Sequence, residues 1–304
     1  MDGQSRRLGT RLAGFAFPGA LAGAMGIAFA PIFVRLSEAG PIATGFWRIA
    51  LALPLLWLWR RLESANGAAP APLSAADHRL LAIGGLFFAA DLAFWHWSIA
   101  LTTVANATLL ANLAPLFVAA ASFLLFGERF GRVFLIGLAC ALAGAGLLLG
   151  ASFDVSMTRV GGDALGVATA VCYAGYIVAV GRMRGRLTSA AVMLWTGLWT
   201  AGALFILAVA TGERILPVSA EGWLVLIGLA VICQVIGQSL IAFSLAHLPA
   251  AMGSVSLLAQ PVAAAALAWA LFGERLGVLE FAGAGVVLIG IAAARMGSEL
   301  KSRR

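Results

Sequence analysis

The sequence predicts an all-α membrane protein of ten transmembrane helices, arranged as two inverted five-helix repeats. Three observations predict it. The 304 residues are 62% hydrophobic and 11% charged, with mean hydropathy +0.99, whereas soluble domains are about 45–50% apolar and about 25% charged. Ten apolar runs are long enough for helices that cross a bilayer. The chain also repeats itself at a constant offset of 146 residues: Leu113-Ala-Pro115 followed by Phe126-Gly-Glu-Arg129 returns as Ala259-Gln-Pro261 followed by Phe272-Gly-Glu-Arg275. An offset near half the chain length marks an internal duplication.

The predicted spans, in order, are 15–34, 42–59, 80–100, 104–126, 133–150, 164–180, 191–210, 223–246, 251–272 and 278–294. The first follows Arg6, Arg7 and Arg11 and ends near Ala28-Phe-Ala30. That resembles a cleaved leader, but Pro31 makes a poor scissile bond and the run is as long as a full span, so it reads as a retained helix. Most connections are short, which makes successive helices antiparallel neighbours. Residues 63–77, rich in Ala, Pro, Ser and Asn, read as a longer surface loop. Residues 1–10 and 298–304 read as disordered tails. The resulting division is a tail at 1–11, a first repeat at 12–150, a second at 151–296 and a tail at 297–304.

The cations test this count. With ten spans and the N-terminus inside, fifteen of the 20 Lys and Arg lie on the inner side, four (Arg35, Arg159, Arg214, Arg275) on the outer side, and Arg48 within a span. Basic residues collect on the cytoplasmic side, so both termini are expected there. Five spans separate equivalent points of the two copies, and an odd number inverts the second. The hairpins agree: Arg132 of the inner copy corresponds to Val278 of the outer one, and Phe134 to Glu280. Inverted repeats with a midplane site between them are a transporter architecture.

The Gly-Glu-Arg turns read as tight structural hairpins. Gly127 and Gly273 suit sharp helix ends, Glu128 and Glu274 suit the start of the next helix, and Arg129 and Arg275 reach a carboxylate or headgroups. Cys140, Cys172 and Cys233 lie in apolar runs with no metal-ligand spacing. The net charge of +7 is spread over loops and ends rather than gathered on a nucleic-acid-binding face.

The paired Pro115…Phe126-Gly-Glu-Arg129 and Pro261…Phe272-Gly-Glu-Arg275 each precede a glycine-rich helix, with Gly137, Gly144 and Gly146 in one and Gly283, Gly285 and Gly290 in the other. Together with Pro41 and Arg48 in the second span, they resemble the drug/metabolite transporter superfamily, EamA family, over residues 12–295. The resemblance implies secondary export of small metabolites from a cavity between the halves, amino acids (aromatic or hydrophobic) foremost, as in the YddG-like exporters. It implies a bacterial inner membrane and no cofactor. The partners expected are a small-molecule substrate and the lipid bilayer, with no nucleic acid; the oligomeric state is left open. A sugar-phosphate or nucleotide-sugar carrier, or a drug transporter, is the alternative within the superfamily. The sequence has no GxxxxGK[ST], GxSxG or HExxH, so it is not expected to be an enzyme.

Charges inside a bilayer are costly and mark function. Arg48, Asp91 and His96 are therefore the charge and coupling candidates. Arg48 lies about 10 Å from one boundary and Asp91 about 18 Å from the other at ~1.5 Å per residue, depths that allow a structural pair. Gln234 and Gln238 share a helix face at four-residue spacing, as do Ser256 and Gln260. Such groups either bond helices together or line a cavity. Trp95, one turn from Asp91, and Tyr176 complete the cavity candidates.

Overall fold

A computed structural model describes residues 3–65, 73–150, 159–272 and 277–302. It holds ten helices of spanning length and hydropathy: Gly14–Leu36, Pro41–Ala65, Ala75–Leu101, Val104–Phe126, Arg132–Leu149, Val160–Arg184, Ser189–Ala210, Ala220–Ser244, Ala250–Leu267 and Val278–Leu300. These are the predicted ten, and no strand occurs among the described residues. Two expectations change. The first helix begins at Gly3 and the last continues to Ser302, so the segments read as disordered tails are largely helical. Glu274 and Arg275 lie outside the described residues.

Successive spans alternate in direction. The chain ends share one face, here the terminal face, with loops 127–131 and 185–188. Loops 37–40, 102–103 and 211–219 share the distal face, where Gly40 N–H donates to Arg214 O at 2.9 Å.

Several spans are broken at mid-depth, and proline sets the breaks. The fourth span stops at Ala111 and restarts at Ala114 with Pro115 in its first turn. The ninth stops at Ser256 and restarts at Ala259, two residues before Pro261. Proline lacks the N–H that would continue the ladder and is accommodated best in a helix's first turn. The duplicated proline motif thus makes the same break in each half. The first span breaks at 28–29, ahead of Pro31, and the second at 51–52, ahead of Pro54. The eighth span widens instead: Leu229–Gln238 is π-helical. A π-turn at mid-membrane is uncommon and often lies at a functional site.

The fifth and tenth spans cross with their backbones in contact. A Cβ on Gly144 would meet Val287 N at 2.5 Å and Gly283 O at 2.9 Å, and one on Gly137 would meet Gly290 O at 2.7 Å. Gly137 corresponds to Gly283 at the repeat offset, and Gly144 to Gly290. The contacts Gly137–Gly290 and Gly144–Gly283 therefore exchange under the pseudo-twofold axis relating the halves. Lipid gives helices no hydrophobic drive to associate, so close van der Waals approach at small residues does the joining. The hairpin at the end of the fourth span is sharp because Gly127 is left-handed, with φ 66°.

The seam makes a specific prediction. Gly144→Leu places a side chain where backbone stands and should cost more than the ~1–3 kcal/mol of ordinary overpacking. Gly146→Ala meets nothing within 4 Å and should leave the melting temperature in detergent unchanged or slightly higher. Equal melting temperatures for both variants would contradict the seam.

Candidate functional site

A cavity of about 100 Å³ lies at mid-depth between the two halves. Six of the first nine spans supply its polar and aromatic wall: Arg48, Asp91 and Trp95, Thr108 and Asn112, Tyr173, Gln238, and Gln260. The seam helices, five and ten, supply no lining residue among those described. Pro31, Pro115 and Pro261 all face the cavity. The breaks of the first, fourth and ninth spans therefore coincide with the cavity.

A basic and an acidic side chain face this space. Arg48 is 3% exposed and donates from Nε to Gln234 Oε1 at 3.2 Å, with its guanidinium 5.8 Å from the centre of the Phe88 ring. Asp91 is 7% exposed and interacts with Arg48 through space. No ion pair joins the two among the described residues. Each side chain therefore remains available to a polar solute.

The uncharged polar groups are also available. Thr108 Oγ1 and Asn112 Nδ2 are buried without a hydrogen-bond partner, while the Gln238 amide faces the Tyr173 and Tyr176 hydroxyls. A buried polar atom left without a partner costs about 1–3 kcal/mol, so a bound solute or water that completes these bonds is favoured. Donors and acceptors from both repeats converge on one small volume.

Aromatic rings back the wall. Phe88 stacks on Tyr176 at 4.3 Å, and Tyr173 lies 6.0 Å from Tyr176. Tyr176 is behind the lining, bonded to Met193 Sδ at 3.6 Å. Tyr173 is the tyrosine that faces the cavity.

The candidate residues divide as follows. Trp95, Gln238, Gln260, Arg48 and Asp91 line the cavity. Gln234 stands behind it and orients Arg48. Ser256 bonds back to Met252 O at 3.0 Å and does not line it. His96, packed on Trp95, bonds through Nδ1 to Pro41 O at 2.6 Å, while its Nε2 has no partner. Glu128 is half-buried and Arg129 exposed at the terminal-face hairpin, away from the cavity.

Sequence reading missed the ties between the halves at the two faces. On the distal face, Glu213 accepts from Ile42 N at 2.7 Å and Ala43 N at 3.0 Å, at the N-terminus of the second span. Glu38 accepts from the Ser219 hydroxyl at 2.7 Å, Ser219 N at 3.0 Å and Val218 N at 2.8 Å, beside the start of the eighth span. The Ser219 hydroxyl and the backbone donors hold the Glu38 carboxyl below the usual carboxylate range, so it is ionised throughout the neutral range. Asp163 accepts from Thr102 Oγ1 at 2.8 Å and Asn106 Nδ2 at 3.0 Å. On the terminal face, Arg186 pairs with Asp77 at 3.0 Å. The signal present in the sequence was an acid in two of the distal loops, Glu38 and Glu213; their partners are 170 to 181 residues away and left no local pattern.

A membrane-embedded, internally duplicated helical bundle with a polar cavity between its halves is the architecture of a transporter. The model of the EamA-like transporter family matches residues 15–150 and again 160–296. The chain belongs to that family, within the drug/metabolite transporter superfamily. No curated protein matches it. Among solved structures, one crystal structure superposes with a TM-score of 0.76 at 22% identity, covering 93% of this chain and 98% of the other. At that identity the likeness speaks for the fold alone.

The distal tie makes a prediction. Glu213→Ala removes the acceptor from two N–H groups at a helix N-terminus, a loss of about 1 kcal/mol. Hydrogen exchange of amides 42–47 should quicken while that of the 137–144 seam stays as it was. Unchanged exchange at 42–47 would show that the tie holds nothing.

Proposed function

We propose that this chain is a secondary exporter of amino acids, aromatic or hydrophobic ones foremost, working by alternating access through the cavity between its inverted repeats. The observation that carries the reading is the pairing of Arg48 and Asp91 on one cavity wall without an ion pair between them. An α-amino acid carries a carboxylate and an ammonium a few bonds apart, and a basic and an acidic side chain in one cavity lining supply a partner for each. Phe88, Trp95 and Tyr173 offer apolar faces to its side chain. The polar atoms of Thr108 and Asn112 supply the remaining bonds.

Size supports a moving cavity. At about 100 Å³ the cavity is smaller than a ~150 Å³ void that holds one benzene, and small for phenylalanine. Admission of such a solute requires the halves to part on one face. The Glu38 and Glu213 ties on the distal face and the Asp77–Arg186 pair on the terminal face are the bonds such a cycle would break in turn. The broken fourth and ninth spans supply hinges beside the solute. In this reading the chain resides in a bacterial inner membrane with both termini in the cytoplasm, and Asp91 and His96 are the candidates for coupling to protons.

A sugar-phosphate or nucleotide-sugar carrier is the second reading. It is less favoured because Arg48 is the only basic residue among the described residues lining the cavity, and Asp91 opposes a phosphate there.

Proteoliposomes loaded with unlabelled phenylalanine or leucine should take up the labelled amino acid and return it chemically unaltered. Arg48→Gln and Asp91→Asn should each lower that exchange at least about tenfold, the ~1.5–3 kcal/mol of a hydrogen bond to a charged group. Exchange of a sugar phosphate in place of amino acids would establish the second reading. Asp91→Asn and His96→Ala variants that both keep the wild-type pH dependence would remove the coupling role.

A further inference from the structure

A second groove, of about 840 Å³, lies away from the cavity, between the second and seventh spans near the terminal face. These spans come from opposite repeats. The groove's composition is graded with depth. Leu53, Pro54 and Leu198 line its deep end, Trp57 and Trp195 its middle, and Arg60, Arg61 and Ser64 its mouth. Apolar surface, then a tryptophan level, then cations is the depth profile of a membrane lipid: acyl chain, interface, headgroup.

The mouth also has unpartnered donors. Arg60 Nη1 and Trp195 Nε1 are both shut off from water without an acceptor. The Arg60 guanidinium stands 5.7 Å from the Trp195 ring, and that of Arg61 4.9 Å from Trp57. Each cation is thus held against an indole. His78 packs edge-on against Trp195 from the third span at 5.7 Å. Among the described residues no carboxylate lines the groove. Glu63, the nearest acid along the helix, is coupled electrostatically to Arg184 instead. Leu55, Leu58 and Leu62 on the same helix are exposed, as a lipid-facing surface requires.

We propose that this groove is a binding site for an anionic phospholipid, its phosphate held by Arg60, Arg61 and the Trp195 indole N–H, and one acyl chain lying along Leu53, Pro54 and Leu198. Arginine suits a phosphate diester because its fork donates two parallel bonds. The lipid touches both repeats, so it binds an arrangement in which the second and seventh spans stay at this spacing.

The test is native mass spectrometry of the full chain released from nanodiscs that contain equal parts phosphatidylglycerol and phosphatidylcholine. Phosphatidylglycerol should be retained at least about fivefold over phosphatidylcholine, since a basic residue near a membrane surface contributes roughly that factor. Arg60→Gln with Arg61→Gln should abolish the preference, Trp195→Phe should reduce it, and Arg129→Gln, an exposed cation on the same face, should leave it intact. If the double variant fails to fold, the Trp195→Phe comparison decides. Equal retention of the two lipids, or an undiminished preference in the Trp195→Phe variant and the double variant, overturns the site. Stabilisation of detergent-solubilised protein by millimolar inorganic phosphate equal to that by phosphatidylglycerol overturns the lipid as occupant.

Discussion

The close crossing of the fifth and tenth spans is the constraint on which the rest of the structure depends. Backbone meets backbone at Gly137–Gly290 and Gly144–Gly283, and the two contacts are images of each other. In lipid, apolar helices gain little by touching one another unless they touch closely. Polar glue between membrane helices averages only about 0.6 kcal/mol per bond, so the seam cannot be replaced by a few hydrogen bonds. With the seam fixed, the remaining spans of each half close around a shared space, and seam residues have no need to enter it.

That shared space collects what a membrane interior tolerates least. Arg48, Asp91, Gln238, Asn112 and Thr108 are all costly in hydrocarbon, and the fold affords them only because each faces the others rather than lipid. The proline breaks lie in the same layer. Backbone groups freed by a broken helix also need a polar surrounding, so the breaks and the polar residues have one physical reason to coincide. The π-widened turn of the eighth span adds to this, setting Gln234 behind Arg48 and Gln238 in the wall.

Much of the fold was legible from hydropathy and from one offset. Runs of about 20 apolar residues have few alternatives, and the repeated Pro…Phe-Gly-Glu-Arg motif gave both the duplication and the place of two of the breaks. Arg48 and Asp91 stood out because charges inside spans are rare. The choice between Tyr173 and Tyr176 was not legible. They are one turn apart on a helix apolar on every side, so no pattern tells which face meets the cavity and which packs on Phe88. Ser256 failed to reach the lining because its hydroxyl bonds back to its own helix. The carboxylates of Glu38 and Glu213 were hidden for another reason. Their partners are backbone N–H groups at the starts of distant helices, which every sequence possesses. The helical ends at Gly3 and Ser302 were hidden because charged residues can prolong a helix beyond its apolar part at no hydropathic signal.

The central claim is the opposed mounting of the two repeats, and it is tested most directly by cysteine accessibility in intact cells. Gly131 and Gly277 are equivalent positions, exposed beside the two hairpins. In a cysteine-free background, Gly277→Cys should react with a membrane-impermeant maleimide added outside, and Gly131→Cys only after the membrane is permeabilised. Labelling of both positions from the same side would contradict the account.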